Sequence, residues 1–91
     1  MKRSTVVVPW NEGLHLRPAA QLVRVAQRFS STILMRCDEK IADVRSILSV
    51  IALCATMGTV IDIEVTGEDE QTAIEALEHA FSAGSSDIER D

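Results

Sequence analysis

The sequence predicts an α+β fold, an open-faced β-sandwich with element order β-α-β-β-α-β-α in which three helices cover one face of a four-stranded antiparallel sheet. Three observations lead there. At 91 residues the chain has room for one core only. With 46% hydrophobic residues but one Trp, two Phe and no Tyr, that core is aliphatic. The segment Val60–Thr66 alternates strictly, Ile61, Ile63 and Val65 on one side and Asp62, Glu64 and Thr66 on the other, so one sheet face is covered and the other meets water.

The first strand is a β-branched run at residues 4–8, stopped by Pro9 and followed by a Trp10-Asn11-Glu12-Gly13 loop. From His15 the period becomes helical. Pro18 suits a first helical turn, where a missing N–H costs nothing. Ala19, Leu22, Val23, Ala26 and Phe29 form an apolar stripe, and Arg17, Gln21, Arg24 and Arg28 line the opposite side. Ser30 and Ser31 end this helix. Thr32–Cys37 and Lys40–Asp43 read as a hairpin around Asp38-Glu39. Ser46 then stands as an N-cap before a helix at 47–57, with Gly58 at its C′ position. That helix is apolar nearly all round, so the surplus, Leu48 with Ile51 or Ala52, is expected at the surface or against a partner. After the alternating strand, Asp69 caps a third helix with a stripe of Ala73, Ile74, Leu77, Ala80 and Phe81, and Gly84 ends it. The domain is placed at residues 1–84 and a polar tail at 85–91.

Composition excludes several classes. Cys37 and Cys54 make neither a CxxC pair nor a metal-ligand cluster, so a disulfide scaffold and a zinc module are disfavoured and both read as reduced core thiols of a cytoplasmic protein. The apolar run before Pro9 is only Val6–Val8, too short for a signal peptide. The longest uncharged run, residues 46–61, falls short of the ~20 apolar residues of a spanning helix. The net charge of −5 conceals an asymmetry: residues 1–61 carry eight basic and four acidic side chains, residues 62–91 one basic and ten acidic. Overall acidity and scarce aromatics disfavour nucleic-acid binding, while the basic part suits an anionic partner.

Phosphate-loop, dinucleotide, zinc-protease and serine-hydrolase motifs are absent. His79, flanked by acidic residues off the apolar stripe, reads as a solvated surface residue. His15 stands where a glycine-containing loop meets a helix whose first N–H groups lack intrahelical partners. An anion there is stabilised by those donors and by the helix dipole, so a phosphoryl group on this imidazole finds its oxygens already solvated. Arg17 adds a guanidinium two residues on. The local spacing alone fits equally well a His15 that is merely an N-cap and an Arg17 that is merely solvated.

The segment GLHLRPAA at residues 13–20 resembles the active-site segment of HPr, the histidine-containing phosphocarrier family of the bacterial phosphoenolpyruvate-dependent sugar phosphotransferase system. The likeness extends to Phe29-Ser30-Ser31, Arg45-Ser46-Ile47-Leu48, Met57-Gly58-Thr59 and Gly67-Glu68-Asp69-Glu70, covering about residues 5–81. It implies a cytoplasmic, monomeric carrier rather than an enzyme, without cofactor or metal. Such a carrier takes a phosphoryl group from enzyme I on Nδ1 of His15, with Arg17 beside it, and passes it to enzyme IIA. It implies partner docking through Leu16, Ala20, Arg24, Ile47, Leu48, Ser49 and Ile51. It also implies regulatory phosphorylation at Ser46 where an HPr kinase/phosphorylase is present; a phosphate there puts about two negative charges into the docking patch. The alternative within the family is a paralogue that acts mainly as a regulatory binding protein, in a nitrogen branch or in catabolite control. Two departures stand out. Glu12 replaces a residue that is usually neutral, and its carboxylate repels a phosphoryl group unless it points away. Cys54 falls where Gly is common. Trp10, beside the loop, reads either as a lid over the helix end or as a surface anchor.

Overall fold

The computed structural model describes the backbone of residues 1–89 and the side chains of residues 1–82. Its elements are β1 (Lys2–Val7), α1 (Leu16–Ala26), β2 (Thr32–Cys37), β3 (Lys40–Asp43), α2 (Ile47–Ala52), β4 (Val60–Thr66) and α3 (Glu70–Glu89). The four strands form one antiparallel sheet in the order β1-β4-β2-β3. The alternation in β4 sets its register: Ile61, Ile63 and Val65 are buried opposite Ile33 and Met35 of β2, which are also fully buried. The other face carries Arg3, Thr5, Asp62, Glu64 and Arg36, with Thr5 donating to Asp62 at 3.0 Å and Arg3 and Arg36 both within 4 Å of Glu64. This is the open face expected from sequence.

The hairpin forms as expected, with Cys37 opposite Lys40 and Asp38 in the left-handed region at φ +56°, a conformation Asp tolerates. β1 begins two residues earlier than the β-branched run, because Lys2 and Arg3 pair with Val65 and Glu64. Val8 leaves the strand but keeps paired, donating to the Thr59 carbonyl at 3.0 Å and accepting from Gly58 at 2.9 Å.

Helix α1 buries Pro18, Ala19, Leu22, Val25 and Ala26, so Val25 belongs to the stripe and Val23 lies at its edge. Phe29 packs against the core from beyond the helix end. In α3, Ala73, Ile74, Leu77 and Phe81 are buried and Ala80 half-buried, as the stripe predicts. The carboxylate of Asp69 accepts from Ser30 N–H (2.9 Å), Ser31 N–H and the Ser31 hydroxyl. Asp69 stands at the start of α3 as expected, its carbonyl accepting from Ala73 N–H at 2.9 Å, while its side chain ties that start to the start of β2. These side-chain bonds, the Ser31 hydroxyl foremost, hold the Asp69 carboxyl below the usual carboxylate range. The Glu70 side chain reaches back to Gly67 N–H at 3.0 Å. Gly84 does not stop α3, whose backbone runs on to Glu89. The expected tail at 85–91 therefore begins as helix, and residues 90–91 lie outside the described residues.

The largest correction concerns α2. The apolar pattern and Gly58 predict a helix over 47–57, but it ends after Ala52, and Cys54 turns the chain in the left-handed region at φ +55°. The physical reason is tertiary: Leu53 and Ala55 must both be buried, and the turn aims the Ala55 carbonyl at Leu14 N–H, 2.8 Å away. Cys54 is thus an exposed turn residue instead of a core thiol. Cys37 is buried as expected, and burial pushes its thiol pKa up.

Candidate functional site

The site begins with the loop between β1 and α1. The Trp10 carbonyl accepts from Gly13 N–H at 2.9 Å, closing a β-turn with Asn11 and Glu12 at its centre. Gly13 adopts φ +74°, and a Cβ there would stand 2.5 Å from the Ala55 carbonyl oxygen. Only glycine lets the loop approach the turn after α2 this closely. Leu14 N–H then bonds that carbonyl, His15 N–H bonds the Gly13 carbonyl at 2.9 Å, and the buried Leu14 side chain pins the turn to the core.

His15 is the N-cap residue of α1 by its backbone, with φ −86° and ψ −171° and its carbonyl accepting from Ala19 N–H at 3.0 Å. Its ring makes no capping bond, and no acidic residue occupies the first turn. Neither a capping side chain nor a first-turn acid therefore stands between the positive end of this eleven-residue helix and the imidazole. The side chain is 36% exposed, enough for a partner to reach the ring. Arg17 is exposed on the first turn of the helix.

Two readings of neighbouring residues change. Trp10 is neither lid nor surface anchor: it is 4% exposed and packs on Phe81 of α3 with ring centroids 5.2 Å apart. Its indole N–H is buried without a partner. Glu12 does not point away from His15, for its Oε1 lies 3.8 Å from the ring Nε2.

The expected docking residues are all at least partly accessible. Leu16, Ala20 and Arg24 lie on α1, and Ile47, Leu48, Ser49 and Ile51 on α2, which packs against α1. Leu48 is 77% and Leu16 64% exposed, far beyond what an aliphatic side chain gains from solvent. The short α2 accounts for part of the apolar surplus, and Leu48 remains outside the core. Ser46 is exposed and caps α2, its hydroxyl accepting from Ser49 N–H at 3.3 Å. Arg45, just before Ser46, is exposed. Its guanidinium donates to the Phe29 carbonyl at 2.7 Å and ties α2 to the end of α1. His79 is exposed, as expected. Sequence reasoning missed Ala55, whose contribution is a carbonyl oxygen and leaves no trace in residue type. Among the described residues no helix is long and apolar enough to cross a membrane, and no cluster of His, Cys, Asp and Glu has metal-ligand spacing.

The family model of the PTS HPr component phosphorylation site matches residues 2–83 of this chain. The chain belongs to the HPr phosphocarrier family. It is 47% identical over 73 residues to the phosphocarrier protein HPr of Lysinibacillus sphaericus, an alignment covering 80% of this chain and 81% of that one. Its fold superposes on the crystal structure of HPr from Thermoanaerobacter tengcongensis with a TM-score of 0.89 at 35% identity, covering 94% and 97% of the two chains. It is also similar to the solution structure of Crh, the catabolite repression HPr of Bacillus subtilis, with a TM-score of 0.61 at 37% identity, covering 88% and 95%. HPr proteins are phosphocarriers of the phosphotransferase system, and the open sheet covered by three helices is their architecture.

Proposed function

We propose that this HPr family member is a phosphoryl shuttle that accepts a phosphoryl group on Nδ1 of His15 from phospho-enzyme I and donates it to enzyme IIA. The observation that carries this reading is the imidazole placed at the N-terminus of α1 with its ring making no capping bond. In the accepting step the Nδ1 lone pair attacks phosphorus, the N–P bond of the donor phosphohistidine breaks, and its electron pair returns to the donor imidazole. The phosphoryl oxygens then lie at the first N–H groups of α1 beside Arg17. The stabilisation must stay modest, because a tightly held phosphoryl group would not move on. The protein acts as a monomeric, cytoplasmic, stoichiometric carrier without turnover of its own.

Partners dock on Leu16, Ala20 and Arg24 of α1 and Ile47, Leu48, Ser49 and Ile51 of α2, a surface that joins exposed aliphatic area to basic charge and fits acidic partner proteins. Phosphorylation of Ser46 by an HPr kinase/phosphorylase would place about two negative charges inside that surface and oppose docking. Incubation with enzyme I and phosphoenolpyruvate is expected to yield one acid-labile, base-stable phosphate per chain, absent in His15→Ala. An unlabelled wild type, or equal labelling of both proteins, refutes the proposal.

The similarity to Crh, a catabolite repression HPr, supports a second reading, a regulatory binding protein of catabolite control. Retention of His15 in a site built to present it weighs against a purely regulatory role. Complementation of an HPr-deficient strain separates the two: restored sugar uptake identifies the carrier, and Ser46-dependent binding without uptake identifies the regulator.

A further inference from the structure

Glu12 sits at the third position of the Trp10–Gly13 turn, and this turn is fixed at both ends. Trp10 is buried against Phe81, and Gly13 is packed against the Ala55 carbonyl. From this fixed turn the exposed Glu12 carboxylate extends toward one particular atom of the His15 ring, with Oε1 3.8 Å from Nε2. A neutral imidazole carries one N–H and one lone pair, and its two nitrogens exchange these roles. A carboxylate facing one nitrogen favours the tautomer with N–H there, because the N–H dipole points its positive end at the charge.

We infer that Glu12 is a positioning residue that keeps the ring proton of His15 on Nε2 and so leaves Nδ1 as the nitrogen with the lone pair. This inference rests on the reading of His15 as the phosphoryl acceptor. As Nδ1 forms its bond to phosphorus and the donor's N–P bond breaks, the proton stays on Nε2 and the ring becomes cationic. Glu12 then faces that cation from the side opposite the phosphoryl group. The repulsion expected of a carboxylate at this position is replaced by attraction to the far nitrogen.

The test is the tautomer ratio of His15 in the unphosphorylated full chain, read from nitrogen-15 shifts and two-bond couplings at a pH where the ring is neutral. Wild type is compared with Glu12→Gln and Glu12→Ala. The ratio of Nε2–H to Nδ1–H is expected to fall about two- to fivefold in both variants, the range for one solvent-exposed charge near 4 Å. In about 1 M salt the wild-type ratio should move toward that of the variants. Unchanged melting temperatures would show that the fold is intact, and enzyme I labelling is run on the same samples. Equal ratios in all three proteins overturn the role of Glu12 and leave His15 as acceptor wherever labelling succeeds. Absent labelling overturns the carrier reading instead, whatever the tautomer ratio.

Discussion

The N-termini of α1 and α2 are two answers to one problem, first-turn backbone N–H groups without intrahelical partners. At α2 the solution is local: the Ser46 hydroxyl accepts from Ser49 N–H, so the side chain is spent on its own helix. At α1 the N-cap residue is His15, whose ring makes no such bond, and the helix start is held from outside by Gly13, Leu14 and the Ala55 carbonyl. The two positions therefore suit different chemistry. A side chain that caps is a structural part that a modification disturbs, whereas a side chain relieved of capping is available to react. The cost of that relief is carried by the buried Trp10 and by the left-handed turn at Cys54, both outside the helix they serve.

Removing the outside support should have the largest effect. Trp10→Ala empties a buried aromatic site against Phe81, with an expected loss of about 3–5 kcal/mol in chemical denaturation and slower labelling of His15. Trp10→Phe, which keeps an aromatic ring and removes the unpartnered indole N–H, should be far milder. Gly13→Ala forces a Cβ toward the Ala55 oxygen at a positive φ, and a destabilisation of about 2 kcal/mol is expected, again with impaired labelling. Ser46→Ala probes the self-capped helix and should cost about 1 kcal/mol while leaving labelling of His15 intact. An equal loss of labelling in Ser46→Ala would show that the two helix starts are not independent. The smallest effect has the opposite sign. Cys54→Gly relieves a left-handed non-glycine residue and should raise stability by about 0.5–1 kcal/mol, visible as a higher melting temperature.

Much of the fold is legible in the sequence because it is written in periodicity. The alternation of Val60–Thr66, the stripe of α3 and the hairpin around Asp38-Glu39 depend on which residues recur at which spacing, and each forms as expected. His15 and Arg17 stand out for a different reason: GLHLRPAA resembles the active-site segment of the HPr family, whereas their local spacing alone fits equally well a plain N-cap and a solvated arginine. The end of α2 is hidden because residues 53–57 contain nothing that breaks a helix, and Gly58 offers a plausible stop. Likewise Asp69 has the residue type of a cap, and its preference for Ser30 and Ser31 depends on a strand start that lies some forty positions away.

From the sequence alone came the fold class, the order of elements and the exposure of Leu48, all consequences of pattern along one chain, and through its likeness to a family the histidine proposed as acceptor. Tertiary structure decided which carbonyl supports the loop, where α2 stops, that Trp10 lies beneath the site and that Glu12 faces Nε2. These depend on backbone groups and on distances that residue type does not encode. A carbonyl oxygen is the same in every residue, so its position is set only when the core closes around it.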